Sequence, residues 1–146
     1  MEPDALIEMF GDVCEVITRA VNPIKGVDRR ARTTTPGQYA IDIVADEAAL
    51  AILGGRDLTI VSEESGVSGP PLAPITIVID PIDGSSNASR DIPYWATSLC
   101  ARDKDGPLAA MAVHHATCAV NTAVRGPGAF RARPRNSASE GVRAAE

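Results

Sequence analysis

Residues 75–79 form a β-branched apolar run that leads directly into Asp80-Pro81-Ile82-Asp83-Gly84-Ser85-Ser86-Asn87. A short run of this kind, bounded by Pro and Gly, predicts a strand buried on both faces. Pro81 lacks an N–H, so the ladder cannot continue and the chain must turn. The strand therefore delivers Asp80 at its C-terminal end, and Asp83 returns close to it. Two carboxylates held there repel unless a cation lies between them. Their oxygens, with a turn carbonyl such as that of Ile82, suit Mg²⁺. Gly84 allows a sharp bend, and the N–H groups of Gly84, Ser85 and Ser86 can open a helix whose N-terminus favours phosphate. A plain solvated turn is the competing account, since Asp, Pro and Gly dominate turns.

Two further features weigh against the plain turn. Glu63-Glu64-Ser65-Gly66 follows another β-branched run, residues 58–61. If the two strands are neighbours, Glu63 and Asp80 leave the same sheet edge. Asp42 and Asp46 are spaced i, i+4 in a helical pattern, where like charges cost about 0.2–0.5 kcal/mol. That spacing is better explained if one aspartate points at a cation.

Around this loop the periodicity changes once. Leu6, Met9, Phe10, Val13, Val16, Ile17 and Ala20 recur at helical spacing, with Asp4 as candidate cap and Asn22-Pro23 as the stop. Residues 25–37 read as a solvated basic loop. A second helix fits residues 39–53, with Ile41, Val44, Ala45, Ala48 and Ile52 inward and Gly54-Gly55 as its stop. After the two runs already named, strands fit residues 96–101, 108–114 and 120–124. Asp103-Lys104-Asp105-Gly106 makes the first two of these a hairpin. The expectation is an α/β layered arrangement, two helices followed by a mostly antiparallel sheet. Trp95 reads as core, and His114 and His115 as exposed residues of a turn.

The chain has 146 residues, 45% hydrophobic, and a formal charge of −5, which fits one domain with a real core and no basic nucleic-acid stripe. Three cysteines, far apart, imply neither zinc nor a disulfide framework. The start has no basic segment leading into an apolar one, and no run reaches membrane-spanning length, so the expectation is a soluble cytoplasmic protein. Up to Phe130 there are 10 basic and 17 acidic residues, and after it 4 and 2. Residues 1–130 are therefore read as the metal- and phosphate-binding unit and residues 131–146 as a disordered tail.

Glu-Glu-Ser followed by Asp-Pro-Ile-Asp-Gly-Ser-Ser-Asn resembles the inositol monophosphatase family. Residues 38–50, residues 92–99 and the Ala-Val-Arg-Gly-Pro-Gly-Ala-Phe segment at 123–130 support the resemblance. It implies the N-terminal portion of a layered sugar-phosphatase fold and Mg²⁺-dependent hydrolysis using two or three metal ions. By the same resemblance Glu63 binds the first metal and holds a nucleophilic water, Asp80 bridges metals, Ile82 offers its carbonyl, and Asp83 binds the second metal. Asp46 and Ser85 activate the water, and Gly84, Ser85 and Ser86 receive phosphate. Ser62 and Pro127 replace family glycines, and Cys118-Ala119 stands where Gly-Glu is usual at a turn. The family's later Trp-Asp metal motif has no counterpart after Phe130.

The implied substrate is a small phosphorylated polyol or sugar, inositol monophosphate first, with fructose-1,6-bisphosphate or a phosphoadenosine nucleotide as alternatives. A non-catalytic remnant that binds Mg²⁺ weakly is the alternative from another class. The expected partners are that substrate and a second copy of the chain through uncovered surface, with no nucleic acid and no membrane.

Overall fold

A computed structural model describes residues 1–132. Helix α1 (Pro3–Val21) and helix α3 (Ala40–Leu53) pack on one face of a seven-stranded sheet ordered β2-β1-β3-β4-β5-β6-β7. Its strands are β1 (Leu58–Ser62), β2 (Gly66–Ser68), β3 (Ile75–Asp83), β4 (Ala96–Asp103), β5 (Gly106–His114), β6 (Ala119–Val124) and β7 (Gly128–Ala132). Two short helices, α2 (Gly26–Arg29) and α4 (Ser85–Ser89), complete it. The two-layer α/β arrangement expected from the sequence is present, and Asp103–Gly106 closes the β4–β5 hairpin. No helix of the described residues is long and apolar enough to cross a membrane.

The core forms where the apolar face of α1 (Leu6, Phe10, Val13, Ile17) meets Ile41, Ala45 and Leu53 of α3 and Ile77, Ile79, Leu99 and Ala101 of the sheet. Burying side chains of this size contributes about 1.5–3 kcal/mol each before entropy is counted. The sheet's other face is uncovered among the described residues. Val78 on that face is 43% exposed, so β3 alternates and is not buried on both faces as its composition suggested. Small residues run across the same face in register, Val78 beside Cys100, Ala110, Ala123 and Ala129.

Several local expectations need correcting. Asp4 lies in the first turn of α1 and Glu2 is its N-cap, because Pro3 takes the first helical position, where no N–H is required. In α3 the buried set is Ile41, Asp42, Ala45, Asp46, Ala49 and Leu53, so Val44, Ala48 and Ile52 lie only at its margin. β2 and β7 were not legible, being short and rich in Gly or exposed residues. Arg131 and Ala132 belong to β7, and the remainder of the tail read as disordered lies outside the described residues. Cys118, at the β5–β6 turn, has φ +52°, a left-handed conformation that Gly adopts freely and cysteine does not.

The basic loop read as solvated contains a buried charge. Arg29 is 3% exposed. Its Nε donates to the carbonyl of Ala88 at 2.6 Å and lies 3.1 Å from Asp91 Oδ1. Its Nη1 donates to Val21 and Ile24 at 2.9 and 3.1 Å. These carbonyls sit at or just past the C-termini of α1 and α4, which have no intrahelical donors and favour a cation. Arg29 thus ties the end of α1 to α4.

The histidines also differ from the reading of both as exposed turn residues. His115 stacks on Trp95 (centroids 4.0 Å, 14°) and contacts Thr18 Oγ1 at 2.9 Å and Thr97 Oγ1 at 2.8 Å. Both hydroxyls also reach carbonyls, Cys14 and Pro81. Each hydroxyl has one hydrogen, so with Thr97 donating to Pro81 a neutral ring donates from Nε2 to Thr97 and accepts at Nδ1 from Thr18, whose hydrogen then leaves the Cys14 carbonyl. Burial, and then the neighbouring His114, push the His115 pKa down to about 4. The unfolded chain takes up that proton near pH 6.5, so between about 6.5 and 4 it binds more protons than the fold. His115 therefore supports the fold fully above pH 6.5 and loses that support as pH falls through 4. After allowance for its partial exposure, the expected loss from pH 7 to 4.5 is on the order of 1 kcal/mol relative to His115→Gln. Paired thermal melts of the two proteins across that range check it.

Candidate metal- and phosphate-binding site

Strands β1 and β3 are parallel neighbours, with Leu58 beside Ile75 and Ser62 beside Ile79. Their C-terminal ends therefore leave the same sheet edge. The N–H of Glu63 donates to the carbonyl of Ile79 at 3.1 Å, which holds the residue after β1 against the end of β3. The β3–β4 register shifts between Asp80, opposite Ser98, and Asp83, opposite Ala96. That one-residue bulge falls within Pro81-Ile82 and re-aims the side chains around it. Thr97 Oγ1 pins it by donating to the Pro81 carbonyl at 2.8 Å.

The Asp80 pKa is pushed up to about 7, first by burial, then by hydrogen bonding and charge from Glu63, and further by Asp83. Glu63 and Asp83 thus both act on the Asp80 carboxyl from close by. Burial also raises Asp42, against the pull of the Tyr39 backbone and the Ser85 side chain, while the Glu63 charge adds to the rise. Glu64 is raised by burial and then held by Gln38, whose Nε2 donates to Oε2 at 2.5 Å.

The Ser85 side chain is near enough to Asp42 to pull its pKa down, although its hydroxyl donates to the Ile82 carbonyl; the resemblance implies Asp46 as its partner. Asp46 is buried elsewhere in the cluster, where its Oδ1 accepts the Ser62 hydroxyl at 2.5 Å. The same Ser62 oxygen accepts the Glu64 N–H at 3.2 Å, so the serine in place of a family glycine braces the turn that carries Glu63 and Glu64. A signal for Asp42 was present in the sequence. It is the third residue of α3, where an acidic side chain reaches back to the cap, and its Oδ2 accepts the Tyr39 N–H at 2.8 Å.

Gly84 takes φ +93°, and a Cβ there would lie 3.1 Å from the Tyr94 carbonyl oxygen and 3.5 Å from Trp95 Cα. Both conformation and space demand glycine. The turn opens α4, whose first N–H groups, on Ser85 and Ser86, have no intrahelical acceptor. Ser85 Oγ donates to the Ile82 carbonyl at 3.0 Å, occupying one lone pair of the carbonyl expected at a metal. Gly84→Ala should destabilise the chain by about 1–3 kcal/mol and displace this turn, an outcome urea melts would show.

The donor set is oxygen throughout, as a hard cation requires. Asp42 Oδ1 and Asp80 Oδ1 are buried with no hydrogen-bond partner among the described residues, and each lies beside a carboxylate it repels. Orphaned anionic oxygens at this depth fit a cation such as Mg²⁺. No group of three or more His, Cys, Asp or Glu among the described residues is drawn together tightly enough to hold an ion by itself.

A sequence profile described as the inositol monophosphatase family matches residues 7–144, past the Phe130 boundary of the motif resemblance. The chain belongs to the inositol monophosphatase family. A fructose-1,6-bisphosphatase/inositol-1-monophosphatase of Methanothermobacter thermautotrophicus is 33% identical over 139 residues, covering 81% of this chain and 49% of that protein. A protein of the same description from Archaeoglobus fulgidus is 48% identical over 61 residues, 42% of this chain and 23% of its own. Among solved structures, a Pyrococcus horikoshii protein with similarities to inositol-1 monophosphatase superposes with TM-score 0.81 at 21% identity, over 99% of this chain and 56% of that one. An extragenic suppressor from Pyrococcus furiosus gives 0.77 at 26% identity, over 90% and 54%. The chain spans about half the length of the family members it matches.

Proposed function

We propose that this chain carries the metal- and phosphate-binding half of a Mg²⁺-dependent phosphatase acting on a small polyol or sugar phosphate monoester, inositol monophosphate first. The observation that carries the reading is the placement of Glu63 and Asp80 at one sheet edge, with buried, partnerless oxygens on Asp80 and Asp42. Glu63, Asp80 and Asp83 would hold the cation, with Asp42 close by. Bound there, Mg²⁺ supplies Lewis-acid activation of water and stabilisation of the leaving oxygen. The rest falls to the chain's own groups. The N–H groups of Gly84, Ser85 and Ser86 receive phosphate oxygens at the start of α4. Asp46 and Ser85, the pair the resemblance implies, orient the attacking water, with Asp42 close to the same serine. Asp46, through Ser62, keeps the Glu63 turn in place.

The test is phosphate release from inositol 1-phosphate by the purified 146-residue chain with Mg²⁺ and with EDTA. Metal-dependent release supports the reading. No release above buffer favours the second reading, a chain that binds cation and phosphate without turning substrate over. The uncovered sheet face would bring copies of such a chain together as concentration rises.

A further inference from the structure

Beside the proposed phosphate cradle lies a cavity of 350 Å³ lined by Asp83, Gly84, Asn87, Tyr94, Trp95 and His114. We propose that this cavity, through His114, Asn87 and Tyr94, selects the alcohol part of the substrate and favours a polyhydroxylated ring over a nucleoside. The inference rests on the phosphatase reading, because Asp83 and Gly84 belong to both the cradle and the cavity.

Each polar group has a defined free end. The Thr117 N–H donates to His114 Nδ1 at 3.3 Å, and the Thr117 hydroxyl lies 3.1 Å from the same atom. Nδ1 is therefore the acceptor, and the ring's hydrogen sits on Nε2, which has no partner among the described residues. Asn87 donates through Nδ2 to the Tyr94 carbonyl at 2.9 Å, leaving Oδ1 free to accept. The Asp83 carboxylate is exposed and accepts only. One donor and two acceptors on a short arc match ring hydroxyls, each of which donates and accepts at once.

The aromatic geometry discriminates between the substrate classes. A purine or pyrimidine binds best against an open, flat aromatic face. Trp95 has one face occupied by His115. Tyr94, 70% exposed, meets His114 edge-on, with centroids 5.2 Å apart and planes at 69°. No parallel slot is formed between them. The pair instead offers a bent wall, suited to the C–H faces of a saturated ring. A volume near the low end of ligand cavities, about 300–1,000 Å³, also suits a small alcohol.

Trp95 is the only tryptophan in the chain, so its fluorescence reports on the cavity. With Mg²⁺ present, the protein is titrated separately with inorganic phosphate, inositol 1-phosphate and 3′-AMP. Inositol 1-phosphate is expected to bind about five- to tenfold more tightly than inorganic phosphate, the worth of one or two added hydrogen bonds. His114→Ala and Tyr94→Ala should each remove most of that difference while inorganic phosphate binds as before. Two variants guard against one failing to fold, and circular dichroism confirms each. An advantage that survives in both variants overturns the inference, as does an equal advantage for 3′-AMP. If the wild-type chain does not bind inorganic phosphate, the phosphatase reading fails first, and the inference falls with it.

Discussion

Arg29→Met should cost about 3–4 kcal/mol, the largest stability effect of any single change considered for this chain. The native side chain donates to three carbonyls, those of Val21, Ile24 and Ala88, from a position almost without solvent. A methionine fills similar volume but donates nothing. Three acceptors lose charged donors, each worth on the order of 1 kcal/mol or more, and Asp91 loses its nearer partner. Asp91 is half exposed, so the ion pair itself adds little. Against a total stability of about 5–15 kcal/mol, the variant would sit close to unfolding. Arg29→Lys should fall between, because a lysine keeps the charge but lacks the fork that reaches carbonyls on two helices. Urea melts of the three proteins give the comparison. A loss under about 1 kcal/mol for the methionine variant would show that α1 and α4 do not depend on this side chain.

Asp80→Asn should act in opposite directions on folding and on cation binding. Without metal, the raised Asp80 pKa means that the fold prefers the carboxyl protonated. Between about pH 4 and 7 the folded chain then binds more protons than the unfolded chain, so stability falls as pH rises through that window. An asparagine removes the charge that Glu63 and burial oppose. The variant is therefore expected to melt higher than the wild type at pH 8, by on the order of 1 kcal/mol after allowance for partial exposure, and no higher at pH 5. Saturating Mg²⁺ should reverse the order at pH 8, since only the wild type gains the linkage free energy of a bound ion. Thermal melts at the two pH values, each with Mg²⁺ and with EDTA, give the four comparisons needed.

What could be read from sequence was what neighbouring residues dictate. Pro81 and Gly84 punctuate the chain whatever surrounds them, so the strand end, the turn and the opening of α4 were all legible. The shared edge of β1 and β3 was legible only as a condition, that the two runs ending in carboxylates be neighbours, and their parallel pairing meets it. Depth was not legible. Asp42 and Asp46 share a helical face but meet different donors, the Tyr39 N–H and the Ser62 hydroxyl, and the second arrives from β1. Arg29 looked like one cation among several in a polar loop, because the carbonyls that bury it lie 5, 8 and 59 residues away. His115 was misplaced for the same reason, its threonine contacts coming from α1 and β4. The outer face of β3 looked buried because β-branched composition reports strand propensity, not which layer covers the strand.

The central claim is that the Glu63–Asp80 edge, with Asp42 beside it, is a divalent-cation site. Calorimetric titration of Mg²⁺ into the wild-type chain at pH 7.5, alongside Asp80→Asn, Asp42→Asn and Asp46→Asn, tests it most directly. The account predicts a saturable heat in the wild type, its loss in Asp80→Asn, and a clear weakening in Asp42→Asn that exceeds the effect of Asp46→Asn. The same heats in wild type and Asp80→Asn would contradict it.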